Sequence, residues 1–211
     1  MINIQNKLYD IITTPEYGSL FNMPQEHLDL LKNNVNKKGK IIDIGANIGL
    51  FSILLSDNIE NTGTICIEPS LFTANILKQN VQNVPNAEVY NCAISNFDGV
   101  GYIQNYGGHQ TYRLNKNTGS EKVETRTLDS FNFKNISLIK IDVEGSEYDV
   151  IEGSQETIKN ERPIMLCEHH TDICSVEKLF SIINKINYDI IYLEPPNLGV
   201  VTTYILVPKN L

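Results

Sequence analysis

Residues 41–50 read Ile-Ile-Asp-Ile-Gly-Ala-Asn-Ile-Gly-Leu, and this stretch decides the class of fold. Residues 40–44 form an apolar run of strand length, and a small-residue turn follows. Residues 48–56 then resume at helical spacing. A buried strand that ends in a glycine turn and feeds a helix offers free backbone N–H groups at a sheet edge.

The spacing of the turn narrows what it can hold. A dinucleotide fingerprint, Gly-x-Gly-x-x-Gly, needs glycine at positions 45, 47 and 50, but Asn47 and Leu50 occupy the last two. What remains is Asp43, Gly45, Asn47 and Gly49 at alternate positions, with Ala46 between. An acid on the strand suits a ligand ammonium group better than a pyrophosphate. A strand-to-helix turn with no ligand is the plainer alternative.

Outward from this stretch the chain keeps one rhythm. Strands are expected at 64–67, 89–94, 136–141 and 163–167, with helices at 70–81, 146–159 and 176–186. Alternation of this kind implies an α/β fold with a parallel sheet and right-handed crossovers. Residues 189–193 and 201–207 flank Pro195-Pro196-Asn197-Leu198-Gly199, a connection short enough only for an antiparallel hairpin. Between 96 and 132 the rhythm lapses. Turn signals at Asp98-Gly99, Gly107-Gly108 and Thr118-Gly119 mark a β-rich insertion there. Residues 1–36 are weakly patterned, with one helix opened by Pro24. The whole is read as one domain: an N-terminal helical or lid segment (1–36), a core (40–207) and the insertion (96–132).

Composition excludes other classes. With 211 residues, 41% of them hydrophobic, the chain can bury a core without staples. No apolar run approaches the roughly 20 residues of a spanning helix. The formal net charge is −8, with arginine only at Arg113, Arg126 and Arg162, which disfavours a nucleic-acid partner. Lys37, Lys38 and Lys40 read as a solvated turn. Cys66, Cys92, Cys167 and Cys174 contain no C-x-x-C pair and suit buried reduced thiols, and the N-terminus lacks a secretory pattern. A cytoplasmic location is expected.

Two further signals lie at expected strand ends. Glu68 follows the second strand of the core, where a carboxylate accepts both hydroxyls of a ribose. A ribose beside an amino-acid head points to S-adenosylmethionine. The run 138–147, Leu-Ile-Lys-Ile-Asp-Val-Glu-Gly-Ser-Glu, places Asp142 and Glu144 ahead of a helix start, with Glu147 complementing the helix dipole.

Together these motifs resemble the FkbM-type class I methyltransferases from about residue 40 to 167. The resemblance rests on Ile-Asp-Ile-Gly-Ala-Asn-Ile-Gly, Ile-Glu-Pro-Ser, Asn-Cys-Ala-Ile-Ser with Asp98-Gly99, Thr-Leu-Asp-Ser at 127–130, and Lys-Ile-Asp-Val-Glu-Gly-Ser-Glu. It implies a Rossmann-like, mostly parallel seven-stranded sheet in the order 3-2-1-4-5-7-6. The implied activity is methylation of oxygen with S-adenosylmethionine, commonly on sugars or secondary metabolites. Asp43, Gly45, Ala46, Asn47 and Gly49 would surround the methionine part of the cofactor. Glu68 would hold the ribose, with Pro69 and Ser70 near the adenine. Cys92 and Ala93 would border that base, and Cys92 stands where many class I enzymes carry an aspartate. Asp142 would sit beside the methyl group.

An alcohol is a poor nucleophile while protonated, so a base is expected. Asp142, Glu144 and His169 are the chosen catalytic residues; Glu168, His170 and His109 are further candidates, and His27 reads as a surface residue. Asp142, Glu144 and Glu168 also admit a magnesium-assisted variant, although no metal is required. The rival readings are a non-catalytic S-adenosylmethionine-binding module and a nicotinamide-dependent oxidoreductase. The acceptor, a small molecule or glycan, and the oligomeric state stay open.

Overall fold

In the computed structural model, the structure describes residues 1–13, 20–35, 37–105, 112–193 and 201–209. The N-terminal segment holds β1 (Ile2–Ile4), β2 (Lys7–Tyr9), β3 (Leu20–Phe21) and α1 (Gln25–Asn34). The first α/β run follows as β4 (Gly39–Ile44), α2 (Leu50–Asn58), β5 (Asn61–Ile67), α3 (Leu71–Asn80) and β6 (Ala87–Tyr90). The insertion contributes β7 (Ala93–Ile94), β8 (Gly99–Asn105), β9 (Tyr112–Asn115) and β10 (Glu121–Arg126). The chain then continues through β11 (Ile136–Ile141), α4 (Glu147–Glu152), α5 (Gln155–Glu161), β12 (Ile164–His170), α6 (Val176–Lys185), β13 (Tyr188–Leu193) and β14 (Val201–Pro208).

Seven strands form the main sheet in the order β13-β14-β12-β11-β4-β5-β6. β12, β11, β4, β5 and β6 are mutually parallel, and β14 runs antiparallel to both β12 and β13. Because side chains alternate along a strand, each central strand feeds two cores. Ile42, Ile44, Ile139, Ile141, Met165 and Cys167 pack with α4, α5 and α6 on one face. Ile41, Leu138, Ile164 and Leu166 pack on the other with α1 and α2. All four cysteines are buried and free. Among the described residues no helix is long and apolar enough to cross a membrane.

Three expectations need correcting. The strand expected at 89–94 is broken: β6 stops at Tyr90, and Ala93–Ile94 instead pairs with β10 in a separate sheet, β7-β10-β8-β9. Asn91 turns the chain out, its amide nitrogen donating to the carbonyls of Glu68 and Pro69 at 2.9 and 2.8 Å. The helix expected at 146–159 is two helices. A Cβ on Gly153 would come 2.0 Å from the Ser95 carbonyl oxygen, so the insertion's entry crosses there. Asp129 starts the second helix, its carboxylate accepting from the backbone N–H groups of Glu156 and Thr157 at 3.1 and 2.7 Å.

The third concerns the N-terminal segment, which the sequence left open as a lid or as packing for the outer sheet face. Ile2, Ile4, Ile11, Met23, Leu28 and Leu31 are buried in the core shared with α2. The Tyr9 hydroxyl donates to Asp57, and Phe21 meets Phe51 edge to face at 4.9 Å. His27 is likewise buried, 4.4 Å from the Tyr192 ring, rather than on the surface. The apolar groups are spent on the sheet face. Tyr17, an aromatic residue of the N-terminal segment, His109, the Gly107-Gly108 turn and the turn at 195–199 lie outside the described residues.

Candidate active site

The loop after β4 is held by its backbone. Gly45, Asn47 and Gly49 take left-handed φ values of 75°, 50° and 95°. A Cβ on Gly45 would come 1.8 Å from the Asp142 carbonyl oxygen, so glycine there lets the β4 and β11 loops touch. The N–H groups of Gly45 and Ala46 both donate to the Ile67 carbonyl at 3.0 Å, tying the turn to the end of β5.

Glu68 follows directly and is pinned. Its Oε2 accepts from the Asn47 N–H at 3.0 Å and its Oε1 from the Ser70 N–H at 2.9 Å. Burial raises its pKa to about 7, against the pull of these two hydrogen bonds and of Lys140. Each oxygen keeps a lone pair for a ligand hydroxyl.

Asp43 does not reach the ligand space as expected. It is wholly buried, its Oδ2 accepting from Ser52 Oγ at 2.6 Å. Lys140 Nζ lies 3.2 Å from Oδ1, a charge contact outside good hydrogen-bond alignment. The same ammonium donates to the Gly45 carbonyl at 3.0 Å, lies 3.4 Å from Asp142 Oδ2 and sits 4.9 Å over the Phe51 ring. Burial pulls the Lys140 pKa down, but Asp43, Asp142 and Glu168 outweigh it and hold the ammonium charged. A charge inside the buried run 136–141 is the sequence signal for such a partner, and the motif reading assigned it none.

The loop after β11 carries the acids. Glu144 and Gly145 are left-handed, at φ 56° and 107°. Glu144 Oε2 lies 3.0 Å from His170 Nε2, and Glu147 Oε1 lies 2.8 Å from His170 Nδ1. Glu147 is wholly buried and also accepts from the Gly145 N–H at 2.8 Å, so it anchors this loop rather than merely complementing a helix dipole. Burial opposes charge on His170, but its bonds to Glu144 and Glu147 raise its pKa to about 10. Glu168 is pushed up to about 8 by burial and by Asp142, against Lys140 and His170.

His169 is the residue misplaced by the sequence reading. It is wholly buried, its Nε2 2.7 Å from the Cys174 carbonyl and its Nδ1 3.5 Å from the Tyr204 hydroxyl. β12 runs on to residue 170, and alternation turns its last side chain, His170, to the acids.

These loops line a cleft open to solvent, about 590 Å³ when the solvent-filled space at its mouth is counted. Gly45, Asn47 and Glu68 line its middle, and Asp142, Val143, Glu144 and Ser146 one end. Pro69, Cys92, Ala93 and Ile94 line the other end, under Ile103, Tyr112 and Leu114 of the insertion. Ala46, Gly49 and Ser70, expected at the cofactor, are not among the described lining residues; the N–H groups of Ala46 and Ser70 donate to the Ile67 carbonyl and to Glu68. The insertion residues were missed because their segment has turn signals but no motif.

Asp142, Glu144 and His170 bring one potential donor atom each within 4.8 Å of one another. The set does not suit magnesium, which takes oxygen ligands, because one member is an imidazole with both nitrogens facing carboxylates.

A model of the methyltransferase FkbM domain matches residues 43–190, more than half of the chain. The chain belongs to the FkbM methyltransferase family. Methyltransferase 1 of Beauveria bassiana (strain ARSEF 2860) is 23% identical over 171 residues, 66% of this chain and 69% of that protein. The crystal structure of methyltransferase FkbM from Methylobacillus flagellatus KT aligns with a TM-score of 0.56 at 18% identity. That alignment covers 80% of this chain and 43% of the other, so the chain spans less than half of that protein's length. M. capricolum TrmK, solved with S-adenosyl-homocysteine, aligns at 0.51 with 18% identity, covering 87% of this chain and 68% of its own. At these identities the solved structures show the fold alone. The FkbM match begins at Asp43 and ends on β13, and so takes in both loops, Glu68 and the insertion.

Proposed function

We propose that this FkbM methyltransferase moves a methyl group from S-adenosylmethionine to a hydroxyl oxygen on a sugar, glycan or secondary metabolite. The observation that carries this reading is Glu68, pinned by two backbone N–H groups between an apolar and an acidic end of one pocket. Such a set of acceptors fits a nucleoside with a cationic tail. When bound, that cofactor supplies a methyl carbon on a positively charged sulfur, open to in-line displacement.

The chain's own residues then have distinct tasks. Glu68 accepts the ribose hydroxyls, and the apolar end takes the base. Asp142 is held against the Gly45 turn by Lys140, which sets the acceptor side against the cofactor side. Glu144 is fixed by His170, itself oriented by Glu147. Its carboxylate takes the acceptor's hydroxyl proton as the carbon–oxygen bond forms, while the carbon–sulfur pair stays on sulfur. Most of the rate comes from positioning.

The charge of −8 and the acid-rich acceptor end disfavour an RNA acceptor, and four buried free thiols suit the cytoplasm. The test is product mass spectrometry with S-adenosylmethionine and a panel of hydroxylated glycans and metabolites. A methyl ether on one acceptor is the expected result. Binding of S-adenosylmethionine with no transfer to any member, or binding of NAD in its place, would overturn the reading.

A further inference from the structure

We infer that this protein recognises the purine of its cofactor by apolar enclosure rather than by reading its polar edge, with Tyr112 as the ring on which the base stacks. The inference rests on the assignment of S-adenosylmethionine to this pocket.

Sheet order sets which end takes the base. Glu68 stands at the tip of β5, with β4 and β11 on one side and β6 on the other. The β11 side carries the carboxylate of Asp142, which suits a cationic tail. The flat, weakly polar base is left with the β6 side.

Among the described residues lining that side, none has a carboxylate or amide to meet a purine edge. Cys92 has the one thiol. Burial, with Glu124 adding and Arg126 opposing, pushes it up to about 12, so it stays a neutral, weak donor. The amide nitrogen of Asn91 is spent on the Glu68 and Pro69 carbonyls.

Apolar matter fills the place of such contacts, and the insertion supplies it. β9 pairs with β8 so that Leu114 stands opposite Ile103 and Tyr112 opposite Asn105, which puts Tyr112, Leu114 and Ile103 on one face. That face packs against Ala93 and Val123 and closes over the pocket. Tyr112 is the aromatic ring lining this wall, and a ring there offers a base a stacking surface that does not depend on the base's edge.

An apolar wall discriminates weakly between isosteres, whereas a site built to hydrogen-bond an edge rejects the wrong one strongly. Calorimetry on the full chain with S-adenosylhomocysteine and S-inosylhomocysteine separates the two cases. The second probe exchanges the purine's amino group for an oxo group and protonates the adjacent ring nitrogen. Affinities within about a hundredfold of each other are expected from an apolar wall. A larger loss with the inosyl compound would overturn the inference by showing that the edge is read, for instance by the backbone at Ala93.

For Tyr112, S-adenosylhomocysteine should bind Tyr112→Ala about fivefold or more weakly and Tyr112→Phe as it binds the wild type. A smaller loss in Tyr112→Ala would remove that residue from the inference. The comparison of the two probes on the unaltered chain stands whether or not either variant folds. Failure of the wild type to bind S-adenosylhomocysteine at all is a separate outcome, and it would sink the cofactor assignment itself.

Discussion

The two ends of the pocket are built from different material. The acidic end stands on β11 and β12, in the middle of the parallel sheet, and nearly every charge there has a second partner behind it. Lys140 reaches Asp43, Gly45 and Asp142; Glu147 reaches His170 and Gly145. The apolar end stands on β7, β8 and β9 of the inserted antiparallel sheet, and packed apolar side chains make its wall. The difference teaches where each task belongs. A carboxylate that must act at a fixed point needs fixed partners, which central strands provide. Enclosure of a flat group needs only shape, and a sheet added at the edge can supply that.

If this division holds, charge-removing, isosteric substitutions at the acidic end should strike turnover hardest. Glu144→Gln is expected to lower kcat by about 10²- to 10⁴-fold, the usual worth of a positioned base, with cofactor affinity little changed. Leu114→Ala, at the other end, should weaken cofactor binding and leave kcat near the wild type. Both follow from steady-state kinetics on an acceptor identified by mass spectrometry, together with calorimetry. Equal losses of kcat and affinity in Glu144→Gln would demote it to a binding residue and dissolve the comparison.

The next largest effect is on stability. Lys140→Met strands the Asp43 carboxylate in a fully buried site, and breaking a buried pair from one side costs about 3–5 kcal/mol. Urea unfolding would show it as a lowered midpoint. Replacing both charges, as in Asp43→Asn with Lys140→Met, should recover part of the loss, because no buried ion is left unpaired. A double variant less stable than Lys140→Met alone would mean the pair contributes more than mutual neutralisation.

The same contrast explains what could be read from the sequence. Buried strands announce themselves as apolar runs, so the parallel core, the glycine turn and Glu68 were legible from residues 41–68. The acids at 142 and 144 were legible because a charge at a strand end, just before a helix, has few structural uses. Partner choice was not. Asp43 reads as a ligand group until Lys140, nearly a hundred residues away, is folded beside it. His169 and His170 are adjacent, and a strand running three residues past its expected end decides which one meets the acids. The insertion wall was unreadable for another reason. Tyr112 and Leu114 acquire meaning only through their pairing with β8, and register is a long-range property that local pattern does not encode.

Between the two ends, Glu68 should show an intermediate effect. Its carboxylate would form a charge-assisted hydrogen bond to the ribose, typically about 1.5–3 kcal/mol. Glu68→Ala should therefore weaken S-adenosylhomocysteine about 10- to 150-fold in calorimetry. An unchanged affinity would place the ribose elsewhere and leave the pocket's middle without a role.

The smallest expected effect is a pH dependence confined to that residue. Burial raises Glu68 to about 7, so lowering the pH below that value protonates it in the free protein. The proton occupies an oxygen that would otherwise accept from the ribose, and ligand binding must expel it. Affinity for S-adenosylhomocysteine should then fall as pH drops through 7, by at most about tenfold per unit, since one proton is displaced per ligand bound. Above pH 7 this contribution levels off. Glu168, raised to about 8, and His170, raised to about 10, also change charge on the alkaline side, so a residual slope there belongs to the acidic end. Glu68→Gln separates the two. It should flatten the profile between pH 5.5 and 7 (roughly one and a half units below the raised pKa) and leave the alkaline part as in the wild type. An acid slope that survives in Glu68→Gln would assign the titration to the acidic end and make the middle of the pocket part of that network rather than a separate contact.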